Sequence, residues 1–98
     1  MTVHLGLLAL LDAKPGKGPE LGAFLDRSRA IAAAEPGTVT WYAFKISDTS
    51  FGIFDTFDTD DARRAHLSGD IPKALAQVSG DLLAQDPDIR IVDVLAVK

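Results

Sequence analysis

The chain has 98 residues, of which 47% are hydrophobic and 24% are charged, so it is long enough for one domain, residues 1–98, and too short for two. Its formal net charge of -4 comes without a cluster of Lys and Arg, which argues against nucleic acid as a partner. The absence of cysteine excludes disulfides and thiolate sites, and only two histidines are present, so we expect no metal site.

The first apolar segment, Val3 to Asp12, has apolar side chains at both parities and predicts a strand covered on both faces. It lacks the positively charged start and the small-residue cleavage site of a signal peptide, and it is too short to cross a membrane. We therefore expect a cytoplasmic protein with no membrane partner.

A helix and a hairpin are predicted next. Apolar residues recur at helical spacing from Leu21 to Ala32, after a turn that ends in Pro19, and Pro36-Gly37 ends this helix. Thr38 to Ile46 and Phe51 to Phe57 are rich in β-branched and aromatic residues, with a short polar turn between them. This pattern predicts two hairpin strands.

The second half of the chain predicts a helical segment in two pieces and a last strand. Asp58 or Thr59 can cap the first piece, in which Ala62, Ala65 and His66 share one face, and Asp70 can cap the second. The last strand, Ile89 to Val97, is again apolar at both parities.

The order β-α-β-β-α-β predicts an α+β fold of the ferredoxin-like kind, with a four-stranded antiparallel sheet and both helical segments on one face. The other face would then be bare in a monomer, although the first and last strands are apolar on both sides. Because such a patch usually marks an interface, we expect a homodimer that packs sheet against sheet, as in a dimeric α+β barrel.

Aromatic residues are concentrated in the predicted hairpin. They can form its core through cross-strand pairs, or they can line a pocket for a flat ligand, and the sequence favours neither. Trp41 and Tyr42 are adjacent in a strand and must face opposite sides of the sheet. The candidate substrate-binding residues are Trp41, Tyr42, Phe44, Phe54 and Phe57.

Two polar residues are candidates for catalysis. Asp55 lies in a strand, where aspartate is disfavoured, so it either pairs with an arginine such as Arg63 or Arg90, or it orients a base or binds a substrate hydroxyl. His66 lies on an inward helix face and is either a hydrogen-bonded core residue or the best available general base.

Several short segments in order resemble the antibiotic biosynthesis monooxygenase family over nearly the whole chain. They are Glu35-Pro36-Gly37-Thr38 followed by a strand aromatic, then Phe51-Gly52-Ile53-Phe54-Asp55-Thr56-Phe57, then an Ala-Arg-Arg-Ala-His helix. The resemblance implies a dimeric α+β barrel with a pocket between sheet and helices. It also implies cofactor-free oxygenation of quinols or polycyclic phenols as one activity, and His66 matches the helix histidine of the family.

The chain departs from the family at three positions. Asp55 stands where many members carry glutamate, Phe57 where many carry tyrosine or tryptophan, and Ile71 replaces a second histidine. The haem-degrading branch is excluded by the resemblance, because it carries tryptophan at the position of His66 and a haem-ligating histidine near Ala76. We therefore expect no haem and no other cofactor.

Two functions from different classes follow. The first is a cofactor-independent monooxygenase of a phenolic or quinol-like aromatic molecule, in which His66 removes a proton and the anion reacts with O₂. The second is a non-catalytic dimer of the same fold that binds a small metabolite or has a structural role.

Overall fold

The computed structural model describes residues 4–98, and the predicted element order is confirmed in them. The elements are β1 (Leu5–Asp12), α1 (Gly18–Ala34), β2 (Thr38–Lys45), β3 (Ser50–Phe57), α2 (Asp60–Leu67), α3 (Asp70–Leu82) and β4 (Asp88–Asp93). The predicted first strand began at Val3, which lies outside the described residues. The strands form one antiparallel sheet in the order β2-β3-β1-β4, so the α+β ferredoxin-like fold is confirmed.

The strand register separates the sheet residues into two faces. Leu7 pairs with Asp55 and Leu11 with Phe51, and all four are buried on the face that the helices cover, which we call the helix face. The main apolar cluster joins this face to α1 and α3. Its buried members are Leu11, Ala13, Leu21, Phe24, Leu25, Phe51, Ile53, Leu75, Leu82 and Leu83.

The opposite side of the sheet, which we call the open face, carries none of the three helices found in residues 4–98. Tyr42 is 60% exposed there, and Leu8 and Phe54 pair with each other at its centre. Gly52 makes this face flat, because a Cβ atom on it would lie 2.4 Å from the Phe44 ring. A flat apolar surface of this kind is available to a partner.

Helix ends follow the predicted chemistry with one correction. The Thr59 side chain caps α2 and accepts a hydrogen bond from the Ala62 amide at 3.0 Å, so Thr59 rather than Asp58 is the cap. Asp70 was predicted as the cap of α3, but Gly69 occupies that position and makes no side-chain bond. Asp70 is instead the first helical residue, where its charge still faces the positive helix end.

The last strand differs from its prediction. It ends at Asp93 rather than Val97, and Ile89 and Ile91 on its helix-face side are 47% and 65% exposed. β4 pairs with β1 at the sheet edge, beyond the reach of the helices, so one chain does not cover it on both sides. No helix in residues 4–98 is long and apolar enough to cross a membrane.

Candidate functional site

The candidate site forms where the loop after α1 meets α2. Gly37 lies so close to Ala62 that a Cβ atom on the glycine would come within 2.4 Å of the alanine Cβ. Only glycine permits this approach of helix to loop, and it places His66, one turn further along α2, beside Glu35 at the end of α1. A short sequence feature therefore fixes the distance between two chemically important residues.

His66 lies between two carboxylates. Its Nδ1 atom is 2.7 Å from Oε1 of Glu35, and its Nε2 atom is 2.9 Å from Oδ2 of Asp55. The Asp55 contact has the distance of an ion pair, but Oδ2 has no well-directed hydrogen bond from any residue in 4–98. Charge attraction therefore holds that side of the imidazole, and a hydrogen bond holds the other.

The pairing predicted for Asp55 with an arginine is wrong. Arg63 pairs with Asp60 at 3.0 Å, and Arg90 pairs with Asp88 at 2.8 Å. Each arginine pairs with a carboxylate two or three residues away on its own element. The buried Asp55 contacts His66 instead. The alternative reading, in which Asp55 orients the imidazole, agrees with this geometry.

The surroundings of His66 favour its protonated form. Burial by itself lowers the pKa of His66, but the contact with Asp55 and the hydrogen bond with Glu35 together outweigh burial and raise this pKa above its ordinary value. The imidazole is only 8% exposed, so water screens these contacts weakly. His66 in this cluster with Glu35 and Asp55 therefore binds a proton more tightly than an isolated histidine does.

A cavity of about 470 Å³ opens beside this cluster. Glu35 and His66 line it together with the small residues Gly37, Ala62 and Ala65, and its other lining residues are Pro36, Thr38 and Asp61. Glu35 is 21% exposed in its side chain, whereas Asp55 is 2% exposed, so Glu35 is the carboxylate at the cavity and Asp55 the one behind the imidazole. Thr38 donates a hydrogen bond to the same Glu35 oxygen at 2.9 Å.

The sequence did not single out Glu35 as a site residue. Its position at the end of α1, immediately before Pro36-Gly37, was visible as part of a family-like segment. What was not visible is that α2 would place an imidazole against it, because 31 residues separate Glu35 from His66. The one available signal was an acidic residue that ends a helix, where its charge opposes the helix dipole.

The structure divides the predicted aromatic residues between the two faces. Phe57 is on the helix face, and its ring centroid is 5.2 Å from that of His66. Trp41 pairs with Asp55 and shares that face. Tyr42, Phe44 and Phe54 lie on the open face and are not brought to the His66 site, since the strand period of two turns each away from it.

Trp41 leaves a polar group without a partner. Its Nε1 atom is buried and finds no hydrogen-bond acceptor among residues 4–98, an arrangement that costs about 1–3 kcal/mol when nothing compensates it. Residues 4–98 contain no group of three or more histidine, aspartate or glutamate side chains arranged to hold a metal ion.

Solved structures show the same architecture. A protein of unknown function from Nitrosomonas europaea superposes with a TM-score of 0.95 and 41% identity, over 98% of this chain and 93% of that one. A proposed antibiotic biosynthesis monooxygenase from Caulobacter crescentus gives 0.78 and 24%, over 96% and 92%. Another proposed antibiotic biosynthesis monooxygenase, from Nitrosomonas europaea, gives 0.81 and 16%, over 97% and 94%.

Neither family models nor curated proteins give a match to the chain. The 41% identity over almost the full length of both chains exceeds what a shared fold alone requires, while the two less similar structures establish the fold. The chain therefore belongs to the same family as the Nitrosomonas europaea protein of unknown function, and its fold is that of the antibiotic biosynthesis monooxygenase-like proteins, as the sequence resemblance predicted.

Proposed function

We propose that this protein is a cofactor-independent monooxygenase of a phenolic or quinol-like substrate and that it works as a cytoplasmic homodimer. The observation that carries the proposal is the carboxylate–imidazole–carboxylate cluster, of which one end lines a cavity and the other is buried. Such an arrangement can accept a proton from a bound hydroxyl group and hold it away from water. The fold shared with proposed monooxygenases from other organisms agrees with this chemistry but does not by itself assign it.

In the proposed mechanism the proton moves inward from the cavity, first to Glu35 and then to the more deeply buried His66. A substrate hydroxyl in the cavity donates to the carboxylate of Glu35, and the proton passes to Nδ1 of His66. The charge of Asp55 on the far side then stabilises the imidazolium. The form that accepts a proton is the neutral imidazole, so activity should rise with pH through the raised pKa of His66.

The oxidation balances without another reactant. The phenolate, once formed, is electron-rich enough to give electrons to O₂ directly. In a phenol or an anthrone a ring CH para to the hydroxyl becomes a carbonyl, and in a quinol a ring CH gains a hydroxyl while the ring becomes a quinone. In both cases the substrate gives up four electrons, one oxygen atom of O₂ enters the product and the other leaves as water. The protein contributes the proton acceptor and the orientation of the bound substrate.

The experiment is O₂ uptake with a panel of quinols and anthrones. We expect His66→Ala to lower turnover by roughly 10²–10⁴-fold, and Glu35→Gln to lower it as well, since both remove part of the proton path. Asp55→Asn should shift the rising limb of the pH–rate profile to lower pH, because Asp55 helps to raise the pKa of His66. Arg64→Gln, a change on the exposed side of the same helix, is the matched control. Normal turnover in His66→Ala would refute the proposal.

A second function has an observation in its favour. Both ring nitrogens of His66 already contact carboxylates, which is also how a purely structural imidazole would be held. A non-catalytic dimer that binds a metabolite predicts that His66→Ala lowers the melting temperature by several degrees and leaves any activity per folded molecule unchanged. Melting curves and O₂ uptake on the same samples separate the two functions.

A further inference from the structure

A groove runs between α1 and β2, on the edge of the sheet, and it is a separate hollow from the cavity at His66. It has a volume of about 450 Å³, and Leu25 and Phe51 provide an apolar floor. Trp41 lies at its side, and a neighbouring hollow continues from Trp41 and Arg29 along β2 toward Thr38. We call this feature the α1–β2 groove.

Two donor groups at this groove have no partner among residues 4–98. The indole N–H of Trp41 is buried and unpaired among residues 4–98, as described above. Arg29 is exposed at the same groove and forms neither an ion pair nor a hydrogen bond with any described residue. A hydrogen-bond donor and a guanidinium that border one apolar hollow complement a planar molecule carrying a negatively charged acceptor.

The other charges at the groove leave Arg29 as the available cation. Lys45 pairs with Asp48 at 3.3 Å, so its charge is already opposed. Asp26 borders the groove one turn before Arg29, and its negative charge opposes an anionic ligand. An anionic ligand must therefore place its charge at Arg29 and away from Asp26. This predicts a ligand with a single carboxylate at one end and a neutral remainder.

We propose that the α1–β2 groove binds a small planar aromatic carboxylate, whose ring packs on Leu25 and Phe51 while its carboxylate meets Arg29 and the indole N–H of Trp41. The aromatic ring follows from the apolar floor of Leu25 and Phe51 beside the Trp41 indole, and the carboxylate follows from the two unpaired donors. This binding does not depend on the proposed oxygenase activity, because none of these residues belongs to the Glu35–His66–Asp55 cluster.

The chain offers a direct reporter, because Trp41 is its one tryptophan. In a ¹H–¹⁵N spectrum of the full chain, one indole cross-peak reports the N–H that the ligand should engage. We expect 2-naphthoate to shift this peak downfield in a saturable manner. The neutral 2-naphthamide should bind about tenfold more weakly, because a charge-assisted hydrogen bond is stronger than a neutral one.

Variants on one helix sharpen the test. Arg29→Gln should weaken 2-naphthoate binding about tenfold, and Asp26→Asn should strengthen it, because the change removes an opposing charge. Arg27→Gln is the matched control, since Arg27 is exposed on α1 but borders a different hollow. An indole peak that does not move at millimolar 2-naphthoate overturns the proposal, as does equal binding of the acid and the amide or an Arg29→Gln variant that binds as wild type does.

Discussion

The two faces of the sheet are built from the same strands but carry different kinds of residue. On the helix face, the buried Asp55 contacts His66, which in turn is hydrogen-bonded to Glu35. On the open face, one residue away along the same strand, Phe54 pairs with Leu8, and no helix of residues 4–98 lies over them. Because side chains alternate along β3, neighbouring residues face either the His66 site or the open face.

Buried charged residues and exposed aromatic residues of this sheet need different kinds of partner. An aspartate is stable in the middle of β3 only because a helix brings a histidine to it. Aromatic rings on the open face need no such partner inside the chain, and we propose that a second copy covers them. Changes at neighbouring positions of β3 should therefore have unlike effects.

The largest effect is expected from Phe54→Asp. A charge at the centre of the open face should weaken the proposed dimer at least about 100-fold, because each of two symmetric copies loses an aromatic contact and buries a carboxylate. Sedimentation should then change from a species near twice 10.4 kDa to one near 10.4 kDa. Leu67→Asp, at an exposed apolar residue on α2, is the control and should leave the dimer intact. A wild-type protein that sediments as a monomer would contradict the proposed interface.

The next effect is on stability and belongs to the helix face. Asp55→Asn should lower the free energy of unfolding by about 3–5 kcal/mol, since it removes the more deeply buried of the two carboxylates that oppose the imidazolium of His66. Thr56→Val on the open face is the matched control. It removes only the 2.6 Å hydroxyl contact with Thr40 and should cost about 1 kcal/mol. Urea unfolding of both variants measures the difference, and equal losses would mean that the buried ion pair contributes little.

The third effect is a pH dependence of stability. The pKa of His66 is raised in the folded protein, so its contribution is complete below the unfolded value of about 6.5 and is lost as the pH rises through the folded value. We expect the free energy of unfolding to fall above pH 6.5, with a slope no steeper than about 1.4 kcal/mol per pH unit for this one proton. His66→Gln should remove that slope, and a slope that persists would assign it to another group.

The smallest effect concerns the start of α2. Thr59→Ala removes the bond to the Ala62 amide and should cost about 1 kcal/mol of unfolding free energy. Ser68→Ala at the other end of α2 removes only contacts of 3.4 and 3.5 Å and should cost less. Neither change should alter dimer sedimentation, because both lie on the helix side of the sheet. A shift in that measurement would show that the two faces are coupled.

The order of the elements, the split of the second helical segment and the fold could all be predicted from the sequence, because apolar periodicity and turn residues are local signals. The sequence also predicted that Trp41 and Tyr42 face opposite sides, since this follows from the strand period alone. The partner of Asp55, the presence of Glu35 in the site and the exposure of β4 were decided only by the tertiary structure. The first two depend on contacts between segments far apart in the chain, and the third depends on how far the helices extend across the sheet. No local pattern in the sequence encodes such contacts or distances.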